Sequence, residues 1–310
     1  MKILILSPNQ SKKYNRGHQL FRNEIGVQHP TIYYGSGYPN YNPNLSAKEI
    51  IKSCYKTDKP DIILTYGYRY TKQFRNLGEI TNIVKIHFEI DYFPPTGKYK
   101  GVMAEDNIMI RNNKYDLIFG VVGRVVKHLK ENKICDKIFL LPFSVDTNIY
   151  KPLNVNKDID VLAAFTTRDD VYPNRNKIHR MLNKMKITKI TGKVIHQHLI
   201  RSINRSRIVI TSNNIFNSLS MRYTETLGCG GFLLADRPED FDELGYVDGK
   251  HLVLYKDIND LKEKILFCLQ KPKFRKFISK NGYEFVTKNH SNIVRVKQFT
   301  DIISREFGIK

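Results

Sequence analysis

The residues with the clearest potential for chemistry lie in a polar stretch between positions 220 and 231. Arg222 and Glu225 are three residues apart, so a helix there would place a guanidinium and a carboxylate on the same face. A carboxylate so placed can accept hydrogen bonds from vicinal hydroxyl groups, such as those of a ribose. An amphipathic surface helix with an exposed Arg–Glu pair is the alternative interpretation of the same spacing.

The ends of this predicted helix also suit an anion site. The hydroxyl of Ser220 is predicted to cap the helix, because it can accept a hydrogen bond from a first-turn N–H group. The free N–H groups at this end, around Ser220 and Met221, favour an anionic ligand such as a diphosphate. Three glycines are predicted to end the helix and to allow a positive φ before the next strand: Gly228, Gly230 and Gly231.

The order of residues in this stretch resembles the nucleotide-sugar subsite of the GT-B glycosyltransferases. The motif R-x-x-E-x-x-G-C-G-G at 222–231 is followed by an apolar strand, by Asp236 and by the segment 241–249. The resemblance is closest to the spore-maturation-protein-like glycosyltransferases, relatives of the large retaining group-one family, and covers about residues 138–305. In that family the matching carboxylate holds the donor ribose, so the resemblance implies this role for Glu225.

One departure from the family pattern concerns the reaction mechanism. The group-one family often carries a second glutamate in an E-x7-E arrangement with the ribose-binding one. Here the earlier position is Asn217. The sequence therefore leaves the stereochemical outcome, retaining or inverting, undecided.

Apolar runs alternate with helical patterns along the whole chain, which predicts an α/β protein with doubly wound parallel sheets. Neither a G-x-G-x-x-G nor a P-loop motif occurs, which argues against a dinucleotide-binding or P-loop enzyme. The phrase L-P-F-S-V-D at 141–146 resembles the GT-B interdomain crossing. The resemblance implies two Rossmann-like domains that face a cleft: an acceptor-binding domain at 1–150, a nucleotide-sugar-binding domain at 151–290, and a helix at 291–310 returning to the first.

Further donor-binding candidates follow strands of the predicted second sheet, because ligands bind outside the carboxyl ends of parallel strands. Arg168 is predicted to meet the diphosphate, and a loop ion pair with Asp169 or Asp170 is its alternative role. Three other residues in these loops are predicted to contribute to donor binding: Arg175, Lys193 and Asn213.

Glycosyl transfer by an inverting enzyme needs a base that takes the proton of the acceptor hydroxyl. Asp91, with Glu89 beside it, follows a strand of the predicted first sheet, and its position resembles that of the base in inverting GT-B enzymes. A capping or turn role for Asp91 is the alternative. His18, in the first loop, is a further candidate for contact with acceptor or phosphate.

Two patterns that could bind a metal ion are interpreted as surface residues. The D-x-D at 158–160 precedes an apolar strand, whereas the metal site of GT-A enzymes follows one. His196 and His198 lack further ligands nearby in the sequence. We therefore expect neither a metal ion nor a cofactor.

The chain of 310 residues carries a net charge of +21, of which +9 lies in residues 1–150 and +12 in the remainder. A charge spread over both halves favours an anionic acceptor, such as DNA or a glycan. The four cysteines show no paired spacing, and neither a signal peptide nor a membrane span is apparent. These features predict a cytoplasmic protein with free thiols.

The resemblance implies a glycosyltransferase that moves a sugar from a nucleotide-diphosphate donor, expected to be UDP-linked, to a hydroxyl acceptor. Hydroxylated-base DNA of a phage and a cell-surface or spore glycan are both open as acceptors. The alternative is a non-catalytic basic protein that binds nucleotides or nucleic acid on a decayed GT-B fold.

Overall fold

The computed structural model describes residues 1–11, 16–67, 71, 73–90, 108–215 and 217–309, without the side chain of Arg16. The chain divides into two compact units. Unit 1 comprises Met1–Pro142 and Val296–Lys310, and unit 2 comprises Phe143–Arg295. The division thus falls after residues 142 and 295, where the sequence suggested 150 and 290. The predicted α/β class with doubly wound parallel sheets is confirmed.

Eleven strands are found in the described part of the chain, and they form one sheet in each unit. Those of unit 1 are β1 (Ile3–Leu6), β2 (Thr31–Tyr34), β3 (Ile62–Tyr66), β4 (Val84–Glu89), β5 (Leu117–Gly120) and β6 (Ile138–Leu140). Those of unit 2 are β7 (Ile159–Ala163), β8 (Lys189–Thr191), β9 (Ser206–Thr211), β10 (Leu233–Ala235) and β11 (Val253–Leu254).

Helices connect these strands. In chain order they are α1 (Arg16–Gln28), α2 (Ala47–Cys54), α3 (Gly123–Glu131), α4 (Arg175–Asn183), α5 (His196–Arg205), α6 (Arg222–Gly228), α7 (Ile258–Gln270), α8 (Pro272–His290) and α9 (Asn292–Phe307). A short 3-10 helix spans Leu77–Glu79. The start of α2 illustrates how sequence fixes such ends: Ser46 and Glu49 form a reciprocal capping box.

The sheet of unit 1 has the strand order β2-β1-β3-β4-β5-β6, and every pair in it is parallel. Strand β1, which has a neighbour on each side, is a fully apolar run with at most 1% exposure, as expected of a strand covered on both faces. The second half of α9 also packs in unit 1, where Phe299 meets Phe119 with ring centroids 5.4 Å apart.

The sheet of unit 2 has the strand order β11-β10-β9-β7-β8 and is also parallel throughout. A core of buried apolar side chains lies between this sheet and helices α4, α7 and α8. The two segments that cross between the units pair within unit 2, since the N–H of Val145 donates to His290 and Val145 accepts from Asn292.

Candidate functional site

The strand order of unit 2 marks the edge at which a ligand is expected. The chain leaves β7 toward β8 on one side and returns to β9 on the other, so β7 and β9 form a topological switch point. Ligands of open α/β sheets bind in the crevice at the carboxyl ends of such strands. The loops at this edge are residues 164–174 after β7 and residues 212–221 after β9.

Arg222 and Glu225 lie at this switch point, on one face of α6. Nη2 of Arg222 donates to the carbonyl of Ala164, the first residue after β7, at 3.2 Å. Nη1 of Arg222 lies 2.9 Å from Oε2 of Glu225, and each side chain is only 11% exposed. The carboxylate is therefore held in one orientation beside the end of β7. The alternative interpretation, an exposed Arg–Glu pair on a surface helix, does not describe this buried pair.

Tyr150 is the second neighbour of this carboxylate. Burial, followed by the negative charge of Glu225 and a hydrogen bond to it, raises the pKa of the Tyr150 phenol. The hydroxyl therefore stays protonated. An ionised carboxylate has about four acceptor positions, so Glu225 can still accept from two hydroxyl groups of a ligand. Tyr150 was missed in the sequence because it lies 75 positions earlier, in a segment that resembles a linker.

The start of α6 differs from the sequence-based expectation. Met221, not Ser220, occupies the N-cap, and no side chain caps the helix. The hydroxyl of Ser220 is instead 3.3 Å from that of Thr211 at the end of β9. Within the described residues, the N–H groups of Ser220 and Met221 have no acceptor, so both remain available to a ligand.

The end of α6 shows which glycines the turn requires. Only Gly230 of the three has a positive φ, at 64°. Gly228 is the last helical residue, and a Cβ atom there would lie 3.2 Å from the carbonyl oxygen of Tyr150. The glycine therefore allows the segment carrying Tyr150 to approach the helix.

Arg175 is placed as a support of the site and not on its surface. Its Nε and Nη2 donate to the carbonyl of Ser212 at 3.2 and 3.0 Å, and its Nη1 donates to the carbonyl of Thr166 at 3.2 Å. The guanidinium also stacks over the ring of Tyr172, 3.4 Å from its centroid. Arg175 thus joins the loops after β7 and β9 and fixes the spacing of the switch point.

Asn213 and Asp236 form a second support at the same edge. Asp236 accepts from the backbone N–H of Asn213 at 2.8 Å and from the hydroxyl of Ser212 at 2.9 Å. Burial raises the pKa of Asp236, although these hydrogen bonds oppose that effect. The side-chain amide of Asn213 donates to Asn217 at 3.0 Å, and its own Oδ1 is buried without a partner in the described structure.

Asn217, which replaces the first glutamate of the E-x7-E pattern, has a conformational role. Its φ is 53°, in the left-handed region where asparagine is among the most tolerated residues. Its carbonyl accepts from the N–H of Glu239, so the residue fixes the loop after β9.

The remaining cations predicted for donor binding are more exposed. Arg168 follows β7 and pairs with Asp170 at 3.0 Å, with 62% of its side chain exposed. This is one of the two ion pairs expected as its alternative role. Lys193 is exposed in the loop after β8, at the same edge of the sheet.

In unit 1, His18 lies at the corresponding switch point, between β1 and β3. Its Nδ1 is 3.1 Å from the hydroxyl of Tyr66, the last residue of β3. Burial, reinforced by the charge of Arg22, lowers the pKa of His18 to about 3. The imidazole is therefore neutral at physiological pH, and its 5% exposure places it beneath the surface of this edge.

Glu89, the last residue of β4, is buried with 1% exposure. Its Oε2 is 2.9 Å from Nε2 of His87, whose Nδ1 is 2.7 Å from the hydroxyl of Thr65. Thr65 in turn contacts the hydroxyl of Tyr115 at 2.9 Å. Glu89 thus ends an internal hydrogen-bonded chain. Asp91 lies outside the described residues, so its role as a base stays a prediction.

The carboxylates of the D-x-D are engaged by arginines. Asp158 accepts from Nε of Arg205 at 2.8 Å, and Asp160 accepts from Nη1 of Arg207 at 2.6 Å. In the part of the chain that the structure covers, no three His, Cys, Asp or Glu side chains come together as a metal site would require. None of the described helices has the length and apolar character needed to cross a bilayer.

Comparison with known proteins places this geometry in context. Residues 164–301 match the family model described as glycosyl transferase-like, which includes the whole of α6 and the loop after β9. No curated protein sequence matches the chain. Solved structures match over both units.

Three of these structures illustrate the similarity. A glycosyltransferase from Rickettsia africae is 16% identical, with a TM-score of 0.68 and coverage of 100% of this chain and 99% of that one. Anabaena HepE in complex with UDP is 10% identical, with a TM-score of 0.70 and coverage of 98% and 100%. Sucrose-phosphate synthase from Thermosynechococcus elongatus is 11% identical, with a TM-score of 0.67 and coverage of 99% of both chains.

The chain has the GT-B fold. The fold implied by the sequence resemblance is thereby confirmed, and the family match falls on the unit that carries Arg222 and Glu225.

Proposed function

We propose that the protein is a glycosyltransferase that takes a sugar from a UDP-linked donor bound at the carboxyl edge of unit 2. One observation carries this proposal: the buried and oriented carboxylate of Glu225 lies at the switch point, within the segment that matches the glycosyl transferase-like family. HepE, which shares the fold, has been crystallised with UDP and with UDP-glucose. We therefore assign a UDP-sugar as the donor.

Glu225 accepts hydrogen bonds from the two ribose hydroxyls of the donor. Arg222 and Tyr150 hold its carboxylate in place, so little conformational entropy is lost when the ribose binds. The diphosphate lies over the loop after β9, where the N–H groups of Ser220 and Met221 are free to donate. Arg168 and Lys193 approach it from the neighbouring loops, and Arg175 and Asn213 keep these loops in position.

In the transfer step, the acceptor oxygen forms a bond to the anomeric carbon as the bond from that carbon to the diphosphate oxygen breaks. UDP leaves with the negative charge, which the N–H groups and cations stabilise. The acceptor proton passes to a base, for which Asp91 is our assignment. Glu89 and His18 support this edge of unit 1 from within. No metal ion is required, so activity should persist in the presence of EDTA.

The acceptor is a hydroxyl-bearing polyanion, consistent with the net charge of +21. DNA with hydroxylated bases and an anionic surface glycan both meet this description. Transfer assays with each acceptor at low and high salt decide between them.

Calorimetric titration with UDP tests the donor site. Glu225→Ala should weaken UDP binding by at least about tenfold, since two hydrogen bonds to a charged group are lost. Glu243→Ala, which removes an exposed carboxylate from the same unit, is the matched control and should bind UDP as the wild type does. Wild-type affinity in a folded Glu225→Ala variant would refute the assignment.

A non-catalytic binding protein is the second candidate, favoured by Asn217 in place of the group-one glutamate. The two candidates differ in turnover. Slow release of UDP from a UDP-sugar by the purified protein, abolished by Glu225→Ala, supports the transferase. Tight UDP binding with no release of UDP from any UDP-sugar supports the binding protein.

A further inference from the structure

A helical hairpin in unit 2 exposes an apolar surface. Helix α7 ends at Gln270, Lys271 forms the link, and α8 begins with Pro272. Leu266, Phe267 and Phe277 are 45%, 52% and 58% exposed. In the described part of the chain, no other phenylalanine is among the exposed large hydrophobic residues. Exposed aromatic side chains on one hairpin are typical of an interaction surface.

The same hairpin is strongly basic. Residues 262–280 contain seven Lys and Arg against one Glu, a net charge of +6. Lys271, Lys273 and Lys276 form no ion pair with any described residue, whereas Lys264 on the same hairpin pairs with Asp260 at 2.8 Å. Nζ of Lys271 lies 5.9 Å from the ring of Phe267. Exposed lysines without ion pairs thus lie on the same hairpin as the exposed rings. We call Leu266, Phe267, Lys271, Lys273, Lys276 and Phe277 the hairpin patch.

The core holds the hairpin patch rigidly. Phe274 packs edge-on against Phe267, with centroids 6.0 Å apart, and against Phe232 at 6.2 Å. Phe277 is one turn beyond Phe274 on α8 and shares its face. Nη1 of Arg275 donates to the carbonyl of Leu269 at 2.9 Å and ties α8 to the end of α7. Docking therefore needs no ordering of the hairpin.

The position of the hairpin leaves the donor site open. Phe232 directly precedes β10, so the hairpin packs at the amino ends of the strands. Glu225 lies at the opposite edge of the same sheet, beside the carboxyl ends of β7 and β9. A body seated on the hairpin patch therefore does not cover the carboxylate.

We propose that the hairpin patch docks the protein on the surface of an anionic lipid membrane. Phenylalanine and leucine side chains enter the boundary between headgroups and acyl chains, and lysines beside them attract anionic headgroups. A second copy of the chain is the less suitable occupant, because a two-fold interface would set Lys271, Lys273 and Lys276 against the same lysines of the other copy. This proposal is independent of the proposed donor site.

Co-sedimentation of the full chain with vesicles tests the proposal. The wild type should bind vesicles that contain phosphatidylserine and not vesicles of phosphatidylcholine alone. Replacing Lys271, Lys273 and Lys276 by Gln should weaken binding by about a hundredfold, at about fivefold for each lysine. The control with the same loss of charge replaces three exposed lysines of unit 1, Lys52, Lys56 and Lys130, and should retain most of the binding.

A fluorescence measurement locates the contact. The chain contains no tryptophan, so Phe277→Trp introduces a single tryptophan, which can be excited selectively at a wavelength that tyrosine does not absorb, and it keeps an aromatic ring in the hairpin patch. Its emission should shift to shorter wavelength when phosphatidylserine vesicles are added. Val27→Trp, at a site 78% exposed in unit 1, should show no shift.

Four outcomes would overturn the proposal. The first is absence of wild-type binding to phosphatidylserine vesicles. The second is equal loss of binding in the hairpin and control lysine variants, which would indicate a diffuse charge effect. The third is a dimer in sedimentation equilibrium that Phe267→Ser abolishes. The fourth is oligonucleotide binding that requires the hairpin patch while vesicle binding does not.

Discussion

The guanidinium of Arg175 donates two hydrogen bonds to the single carbonyl oxygen of Ser212, at 3.2 and 3.0 Å. Nη1 also donates to the carbonyl of Thr166. One side chain therefore supplies hydrogen bonds to a carbonyl in the loop after β9 and to a carbonyl in the loop after β7. The residue is 7% exposed. It therefore sets the separation of the two loops between which Glu225 must meet a ligand.

Replacing Arg175 should lower the stability of unit 2, because this side chain supports the site and does not lie on its surface. We expect Arg175→Ala to lower the free energy of unfolding of unit 2 by about 3 kcal/mol, because the buried carbonyl of Ser212 and the partly buried carbonyl of Thr166 lose their donor. Urea unfolding followed by tyrosine fluorescence measures this. Arg168→Ala, which removes an exposed arginine from the loop that precedes α4, should change the stability by less than about 0.5 kcal/mol. Equal effects of the two substitutions would contradict the role of Arg175 as the residue that joins the loops after β7 and β9.

The stability of unit 1 should fall as the solution becomes acidic. Burial lowers the pKa of His18 from 6.5 to about 3, so the unfolded chain binds a proton that the folded protein excludes between these values. Stability is therefore full above pH 6.5 and declines as the pH falls toward 3. At about pH 5 the loss due to this group should approach 2 kcal/mol.

Unfolding curves of His18→Gln at about pH 7 and pH 5 check this expectation, since the variant should lose much less stability on acidification. His290→Gln is the matched variant in unit 2, where burial and Arg295 lower the pKa of His290 to about 4. If the unfolding of unit 1 depends on pH in the same way with and without His18, the imidazole of His18 is not the group that causes the loss of stability in acid.

Which strands and helices could be predicted from the sequence depended on how deeply they are buried. Strand β1 was found because it is a continuous apolar run, and β7 was found because apolar residues follow Asp160. The strands β2 and β8 were missed, and both lie at a sheet edge, where they are only partly buried and lack such a run. Helix α5 was not predicted, and the two histidines interpreted as surface residues, His196 and His198, lie in its first turn.

The candidate site shows the same limit. The three-residue spacing of Arg222 and Glu225 is local, so the sequence revealed their shared face. The contact of Glu225 with Tyr150 depends on tertiary packing, and so does the inward orientation of Arg175. A sequence pattern places a cation at the edge of a sheet but does not tell whether it binds a ligand or a backbone carbonyl.

Tyr150→Phe should weaken the donor site without removing it. Loss of the hydroxyl leaves the Glu225 carboxylate held by Arg222 alone, so we expect UDP affinity to fall by about fivefold, the value of one hydrogen bond. Calorimetry with UDP measures this, with Tyr283→Phe, at a partly exposed site on α8, as control. An unchanged affinity would mean that the Tyr150 hydroxyl does not orient the carboxylate.

Asp91 and Glu89 should separate into a catalytic and a structural carboxylate. Glu89 is buried against His87, so Glu89→Ala leaves that imidazole without its partner and should lower the stability of unit 1 by about 2 kcal/mol. Asp91→Asn, as the assigned base, should leave stability and UDP affinity unchanged while it lowers kcat by about a hundredfold or more.

The two carboxylates are compared by measuring kcat, the calorimetric affinity for UDP and the urea midpoint for each variant. A raised pH optimum or rescue of Asp91→Asn by added formate would support a lost base, because either supplies a proton acceptor. If Asp91→Asn retains full kcat and a stably folded Glu89→Gln variant loses it, Glu89 is the base and Asp91 is not. The chain from Glu89 through His87 to Thr65 would then be a route for the acceptor proton and not only a support of the edge.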